Sequence, residues 1–183
     1  MSFTPHRFYH GIESINSIQA TFLGVFGPAR RAKNISKQDL LVSMGGSENP
    51  AGDCILKAEN TIRRFAKRQK MDVSFVGGNL RIVNPTKLLS KTRLLLGVGG
   101  LLTIEEAVKL GIPGVFVYPD EDEEKAHNAL LVEKLQFGYS LPLSSASPTH
   151  IVDLLGKAQN LHPEFTPLDA TTILGERIRK YLS

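Results

Sequence analysis

Short apolar runs that alternate with amphipathic segments are the feature that most constrains this fold. Leu40–Met44 is apolar apart from Ser43, and Leu94–Val98 is apolar throughout. Such runs are typical of strands that are buried on both faces of a sheet. Segments with apolar residues at helical spacing lie between them. We therefore predict an α/β fold, in which crossover helices cover both faces of a doubly wound parallel sheet.

The predicted strands and helices follow one another in a regular order. Asn49-Pro50 supplies an N-cap and a first-turn proline for the first helix. Pro142 cannot donate a ladder hydrogen bond, so the last strand is expected at an edge of the sheet. The predicted strands are Leu40–Met44, Val73–Val76, Leu80–Val83, Leu94–Val98, Gly114–Tyr118 and Ser140–Leu143. The predicted helices are the segment from Pro50 onward, Thr86–Thr92, Thr103–Leu110, Glu124–Phe137, Pro148–Gln159 and Pro167–Leu182.

The length of 183 residues suits one domain of ordinary size. Residues 1–38 lack sustained periodicity, so we predict a leading linker there, with a short helix near Gly11–Ala20 and a strand at Thr21–Phe26. Residues 39–183 are predicted to form a single Rossmann-like domain.

Charge and composition narrow the class of partner. The net charge is +4, and residues 1–38 carry five basic side chains and one acidic one, against 17 of each in the remainder. A short basic arm is more often a solvated flank than a binding surface, and the chain has no tryptophan for base stacking. We therefore expect no nucleic-acid partner.

The single cysteine, Cys54, excludes an intrachain disulfide and suits a reducing, cytoplasmic compartment. Its predicted place in a helix favours a small core residue over a nucleophile. No stretch approaches the roughly 20 apolar residues of a membrane span, and no signal peptide is legible.

Two glycine-rich turns are the candidate ligand sites. Gly45-Gly46-Ser47 follows the first predicted strand of the domain, and Gly99-Gly100 follows the fourth. Ligands of such sheets bind beyond the carboxyl ends of the strands, where the next helix begins with unpaired backbone N–H groups that favour an anion. The alternative is a plain structural bend, because glycine pairs at strand ends are common. Neither turn matches the dinucleotide fingerprint or the Walker pattern.

Glu106 has two interpretations. Thr103 and Glu106 have the spacing of a capping box, in which Glu106 would only accept the backbone N–H of Thr103. Alternatively, its carboxylate could accept hydrogen bonds from two ribose hydroxyl groups. The five histidines form no convincing metal site, so a surface role is expected for His127. No nucleophile elbow is present either.

Three stretches together resemble the C-terminal domain of GT-B glycosyltransferases of the family-28 type: DLLVSMGGSENPAG, LLLGVGGLLTIEEAVKLGIPGVFVYP and HNALLVEKLQFGYSLPL. This group includes the lipid II GlcNAc transferase and the UDP-sugar hydrolase of the pseudaminic acid pathway. The resemblance covers about Leu40–Leu143, and its most specific part is the pattern GG-x-x-T-x-x-E-x-x-x-x-G-x-P from Gly99 to Pro113.

The resemblance implies a donor site for a nucleotide sugar, with a UDP-sugar as substrate and no tightly bound cofactor or metal. The positions that match the family's phosphate turns are Gly45, Gly46, Ser47, Gly99, Gly100, Leu101, Leu102 and Thr103. Glu106 matches the ribose-binding glutamate, and the backbone near Ile82 or Val83 matches the segment that reads the uracil. Asn128 belongs to the segment that holds the donor sugar.

Two departures limit what the resemblance implies. Glu124 and Lys125 stand where the lipid II type carries two sugar-binding glutamines, so the identity of the sugar is open. The acidic run Asp120–Glu124 disfavours a nearby diphosphate unless a basic group or a metal offsets it. The run also suits a solvated loop or a helix N-terminus.

A chain of this length has room for only one half of a GT-B enzyme. We therefore expect the donor-binding half of a glycosyltransferase that acts in glycan or cell-surface polysaccharide synthesis, inactive without an acceptor-binding Rossmann-like partner. Contact with the inner membrane face would come through that partner half. The alternatives are the donor half of a UDP-sugar hydrolase and a non-catalytic interaction module that keeps the fold.

Overall fold

The computed structural model describes residues 2–4, 20–22, 39–46, 49–78, 88–162 and 179. The chain divides into two compact units, Met1–Arg30 with Thr166–Ser183, and Arg31–Phe165. In the first unit, the described strands β1 (Ser2–Thr4) and β2 (Ala20–Phe22) form a parallel pair. The proposed division into a linker at 1–38 and a domain at 39–183 stays a prediction.

A five-stranded parallel sheet is the framework of the second unit. Its strands are β3 (Leu40–Ser43), β4 (Val73–Val76), β5 (Leu94–Val98), β6 (Gly114–Tyr118) and β7 (Gly138–Pro142). Their spatial order is β4-β3-β5-β6-β7, and every neighbouring pair is parallel. Because β3 lies between β4 and β5, the order reverses direction there, which defines a topological switch point between β3 and β5.

Among the described residues of this unit, five helices that the structure gives from end to end cover these strands. They are α1 (Pro50–Lys57), α2 (Glu59–Arg68), α3 (Leu101–Leu110), α4 (Glu123–Lys134) and α5 (Pro148–Ala158), with a short 3₁₀ turn at Leu143–Ser145. Helices α1, α2 and α5 form one layer and α3 and α4 the other, as their mutual contacts show. This arrangement confirms the predicted doubly wound α/β fold.

The main core lies between the sheet and the layer of α1, α2 and α5. Alternate strand residues enter it from the sheet, such as Leu40, Val42, Leu94 and Leu96. The opposite face of the sheet is also buried: Leu41, Leu95 and Phe116 are at most 1% exposed. Burial on both faces explains why these strands read as continuous apolar runs.

Several element boundaries differ from the sequence-based prediction. The helix that begins at Pro50 is interrupted at Ala58, which ends α1 and precedes α2. Helix α3 begins at Leu101, two residues before Thr103, and α4 ends at Lys134 rather than at Phe137. The edge strand β7 begins at Gly138 and contains Pro142, as its edge position allows.

Other predicted elements lie wholly or partly outside the described residues: the helices near 11–20, 86–92 and 167–182, the strand at 80–83, and most of the strand at 21–26. Within the ranges that the structure describes, none of the helices is both long enough and apolar enough to span a bilayer.

Candidate functional site

The two glycine turns meet at the switch point of the sheet. Strands β3 and β5 are hydrogen-bonded neighbours, with Leu40 opposite Leu94 and Ser43 opposite Gly97. The carboxyl ends of both strands lie at the same end of the sheet, so the turns that follow them are side by side. A Cβ atom built on Gly45 would be 2.8 Å from Cγ2 of Val98, the residue before Gly99. The structure therefore brings Gly45-Gly46 and Gly99-Gly100 together at the place where ligands of such sheets bind.

The first turn is held by packing and by its own helix cap. Gly45 has a φ of +74°, and a Cβ there would also meet the Asn49 side chain at 2.9 Å. Asn49 Oδ1 accepts the N–H groups of Ala51 and Gly52 at 3.1 and 3.4 Å. Pro50 has no N–H, and Asp53 N donates to Asn49 O at 3.0 Å. The first turn of α1 is thus left with no free backbone donor for a ligand.

A third glycine pair, Gly77-Gly78 at the end of β4, supports the first turn. Gly78 N donates to Gly45 O at 2.8 Å, and a Cβ on Gly77 would lie only 2.4 Å from the same oxygen. Both residues have positive φ, +88° and +59°. This pair was not among the predicted site residues, although two consecutive glycines at a strand end are a signal for close backbone approach.

At the second turn, unlike the first, the N–H groups at the start of the following helix have no side-chain acceptor among the described residues. Gly100 is the N-cap of α3, and no described side chain caps this helix. The first intrahelical bond runs from Ile104 N to Gly100 O at 3.2 Å. The N–H groups of Leu101, Leu102 and Thr103 therefore lack intrahelical acceptors. No described atom lies within 4 Å of a Cβ built on Gly100, so a ligand can approach the backbone there.

The capping-box interpretation of Thr103 and Glu106 is wrong, because α3 begins at Leu101 and Thr103 is already inside the helix. The turn is tighter than the sequence indicates, since Gly100 N bonds back to Val98 O at 2.7 Å. The Thr103 methyl group lies over Gly97, 3.6 Å from the place of a Cβ on that glycine. Glu106 lies in the second turn of α3 and is partly exposed. For its neighbour Glu105, burial raises the pKa of the carboxyl, and Lys109 opposes this shift.

Lys125 lies beside the second turn. A Cβ on Gly99 would be 2.8 Å from the Lys125 carbonyl oxygen and 3.3 Å from its Cβ. The ammonium group forms an ion pair with Asp122, whose carboxylate also accepts the Lys125 backbone N–H at 3.0 Å. These hydrogen bonds lower the pKa of Asp122. Lys125 is therefore near the glycine turn, with its charge shared with Asp122.

Most of the acidic run has a structural explanation. Asp122 is the N-cap of α4, and Glu123 and Glu124 occupy its first turn, where acidic side chains are favourable. Asp120 accepts the backbone N–H of Ser144 at 2.8 Å and also its hydroxyl group, which lowers the pKa of Asp120. Glu124 is exposed to solvent. The run therefore divides between the two predicted interpretations: Asp120 and Glu121 lie in an exposed turn, and Asp122–Glu124 form the helix N-terminus.

Asn128 is a buried polar residue on α4. Its side chain is 3% exposed, and its Nδ2 atom has no hydrogen-bond partner among the described residues. Buried donors are nearly always paired, so an acceptor from elsewhere is the expected partner. Two predicted site residues, Ser47 and Val83, lie outside the described residues.

The remaining candidates do not form a second site. Cys54 packs against the core, as predicted, and its Sγ donates to Ala146 O at 3.7 Å. Burial raises the pKa of its thiol, which disfavours the nucleophilic thiolate. Among the described residues, no three His, Cys, Asp or Glu side chains are grouped so that they could hold a metal ion.

Comparison with known proteins supports the fold alone. No protein-family model matches the sequence, and no curated protein matches it. Among solved structures, the calicheamicin glycosyltransferase CalG4 superposes with a TM-score of 0.66 at 19% identity, over 97% of this chain and 50% of that one. The glycosyltransferase of kitacinnamycin gives 0.62 at 17% identity, over 95% and 48%. MurG of Acinetobacter baumannii gives 0.55 at 16% identity, over 82% and 52%.

The chain spans about half the length of each of these structures. The predicted resemblance is therefore confirmed in its fold, and this chain has the fold of one half of a GT-B glycosyltransferase.

Proposed function

We propose that this chain is the nucleotide-sugar-binding half of a glycosyltransferase, and that the diphosphate of a UDP-sugar binds at the start of α3. The observation that carries the proposal is the uncapped N-terminus of α3 beside Gly100, at the switch point of the sheet. Three N–H groups without an intrahelical acceptor and without a side-chain cap among the described residues, together with the positive end of the helix dipole, favour a phosphate there. The choice of UDP rests on the family resemblance in the sequence.

In the proposed reaction, an acceptor hydroxyl attacks the anomeric carbon and the bond to the diphosphate oxygen breaks. Negative charge then grows on the leaving UDP. The backbone N–H groups of Leu101–Thr103 stabilise this charge, because they are already oriented toward it before the reaction. The hydroxyl of Thr103 supplies one further donor, and Glu106 accepts hydrogen bonds from the ribose.

The sugar would lie toward α4. Asn128 carries a buried amide donor with no partner among the described residues, which a sugar hydroxyl would satisfy. Lys125 lies against Gly99, so its ion pair with Asp122 places a basic group near the diphosphate and offsets part of the acidic run. The role of Gly45-Gly46 in this proposal is to shape the wall of the site rather than to bind phosphate through α1.

Catalysis requires the other half of the architecture. GT-B active sites lie between two domains, and this chain corresponds to about half of the structures that it matches. Alone, it should bind UDP weakly and turn nothing over. Whether the full assembly transfers the sugar to an acceptor or to water depends on groups in the acceptor half, and product analysis of the two-part protein distinguishes transferase from hydrolase.

Calorimetric titration of the folded chain with UDP tests the proposal. We expect binding that weakens about 30-fold in Glu106→Ala, because a charged hydrogen-bond acceptor contributes about 2 kcal/mol. Glu105→Ala is the matched control on the same helix, and its affinity should stay close to that of the wild type. Both variants should retain their thermal stability. A folded wild-type chain that does not bind UDP at millimolar concentration would contradict the proposal and favour a non-catalytic module.

A further inference from the structure

Residues 57–70 concentrate the positive charge of the chain. This segment has the sequence KAENTIRRFAKRQK, with six basic residues and one acidic residue, so its net charge is +5. The whole chain has a net charge of +4, so all other residues together sum to −1. The segment includes the whole of α2 and the residues on either side of it.

Helix α2 directs this charge to solvent. Its apolar face, Ile62, Phe65 and Ala66, is buried in the core. The opposite face is exposed and carries Asn60, Arg63, Arg64 and Lys67, which are the described lining of a surface cleft of about 480 Å³. We call these four residues, with Arg68 and Lys70, the α2 basic row. Residues three and four apart stack along a helix, so the row presents cations about one turn, or roughly 5 Å, apart.

Little of this charge is neutralised within the described part of the chain. Arg63 is the exception: its Nε donates to Glu59 at 2.7 Å, and its guanidinium lies 4.6 Å from the centre of the Phe75 ring. Arg64 donates only to Asn60 O and Thr61 Oγ1, which are uncharged. Lys67 has no acidic partner among the described residues. Several full positive charges therefore face solvent together.

The α2 basic row is separate from the glycine turns. Helices α1 and α2 start beyond the carboxyl end of β3 and return to the amino end of β4, so Lys67 lies near the opposite edge of the sheet. At 1.5 Å per residue, Lys67 lies roughly 27 Å from Asn49 along the two helices. Lys67, Arg68 and Lys70 are therefore far from the glycine turns, whereas Arg63 lies nearer, over Phe75 of β4.

We propose that the α2 basic row docks this chain onto the surface of an anionic lipid bilayer. A straight row of cations on an exposed helix matches a plane of phosphate groups, and such helix-borne clusters bind anionic lipids. Leu56 is 49% exposed and lies at the end of α1, just before the start of the row on α2, so it adds an exposed apolar side chain near that end. Single-stranded nucleic acid fits less well, because the aromatic ring at this surface, Phe75, is covered by Arg63 and cannot stack on a base.

Vesicle sedimentation tests this inference. The 183-residue chain should sediment with phosphatidylglycerol–phosphatidylcholine vesicles (1:1) at low salt, and neither with pure phosphatidylcholine nor in 0.5 M salt, where charges are screened within a few ångströms. Removing two cations in R64Q/K67Q should weaken partitioning about 30-fold. The control K109Q/K134Q removes the same charge from α3 and α4, on the other face of the sheet, and should retain near wild-type partitioning.

Three outcomes would overturn the inference. The first is no sedimentation with the anionic vesicles, and the second is an equal loss in both double variants, which would indicate attraction by net charge alone. The third is binding to duplex DNA or heparin without binding to vesicles, which would assign the row to another polyanion. UDP titration of R64Q/K67Q should give the wild-type affinity, so failure of this inference leaves the proposed nucleotide site untouched.

Discussion

The two turns each carry a glycine pair between a buried strand and a helix, but the helices that follow them differ in the availability of their first N–H groups. After Gly45-Gly46, the side chain of Asn49 fills the start of α1, and Gly77-Gly78 packs against the turn from β4. After Gly99-Gly100, no described side chain caps α3, and the space beside Gly100 is open. The difference shows that a glycine pair before a helix does not define an anion site. What matters is whether the helix's first N–H groups already have acceptors.

Among the variants that test this difference, Gly77→Ala should have the largest effect on stability, because Gly77-Gly78 packs against the first turn. The new methyl group would lie 2.4 Å from the Gly45 carbonyl oxygen, at a φ of +88°. Overlap with backbone and a strained φ together should lower the free energy of unfolding by about 3 kcal/mol, as measured by urea denaturation. Gly46→Ala is the control, since no described atom lies within 4 Å of its Cβ position, and a similar loss there would contradict the account.

Gly100→Ala should separate binding from stability at the second turn. Its φ of −73° and ψ of 135° suit any residue, but alanine is a poorer N-cap than glycine, so the free energy of unfolding should fall by no more than about 1 kcal/mol. The methyl group would occupy the approach to the α3 N-terminus, and UDP affinity should fall about tenfold, or about 1.4 kcal/mol. Gly46→Ala should keep the wild-type affinity. If Gly46→Ala weakened UDP binding and Gly100→Ala did not, the assignment of the two turns would be reversed.

Asn49→Ala tests whether the N-terminus of α1 can bind UDP once its N-cap side chain is removed. The loss of two side-chain hydrogen bonds should lower the free energy of unfolding by about 1 kcal/mol. UDP affinity should stay unchanged, because the proposed phosphate site uses α3. A clear change in affinity, measured by calorimetry on a sample that is still folded, would show that α1 contributes donors to the ligand.

Asp122→Ala should give the smallest effect, and that effect should depend on pH. Hydrogen bonds from Lys125 lower the pKa of Asp122 in the folded state. Its contribution to stability is therefore present above the unfolded-state pKa of about 3.9 and disappears as the pH falls through the lower, folded-state value. The variant should be less stable by about 0.5–1 kcal/mol at pH 7 and nearly equal to the wild type near pH 2. A constant difference in unfolding free energy across this range would contradict the charged-cap account.

The strand pattern could be read from the sequence because both faces of the sheet are buried. Leu94–Val98 and Gly114–Tyr118 match the predicted strands residue for residue. The start of α3 could not be predicted from the sequence. Thr103 has the residue type and spacing of an N-cap, and no local pattern indicates the hydrogen bond from Gly100 N to Val98 O. The contact of Gly77 with Gly45 joins residues 32 positions apart, so it depends on the pairing of β3 with β4.

One property of the site, the lack of free backbone donors at the start of α1, follows from the sequence but was not predicted. Asn49 and Pro50 were predicted as N-cap and first-turn proline, and the structure confirms both. A proline without an N–H, followed by two N–H groups taken by the cap, already implies that α1 has no free donors. Likewise, the equal numbers of basic and acidic residues after position 38 conceal the net charge of +5 between residues 57 and 70.

The charged residues of the second unit are unevenly distributed along the strand direction. The end of the basic row, Lys67–Lys70, lies toward the amino ends of the strands, whereas residues 120–125, with a net charge of −4, follow the carboxyl end of β6. If the α2 basic row docks as proposed, the attraction of its cations to a negatively charged surface turns that end of the unit toward the surface before contact. The glycine turns are then directed toward bulk water, where a soluble nucleotide can reach them without crossing the surface layer.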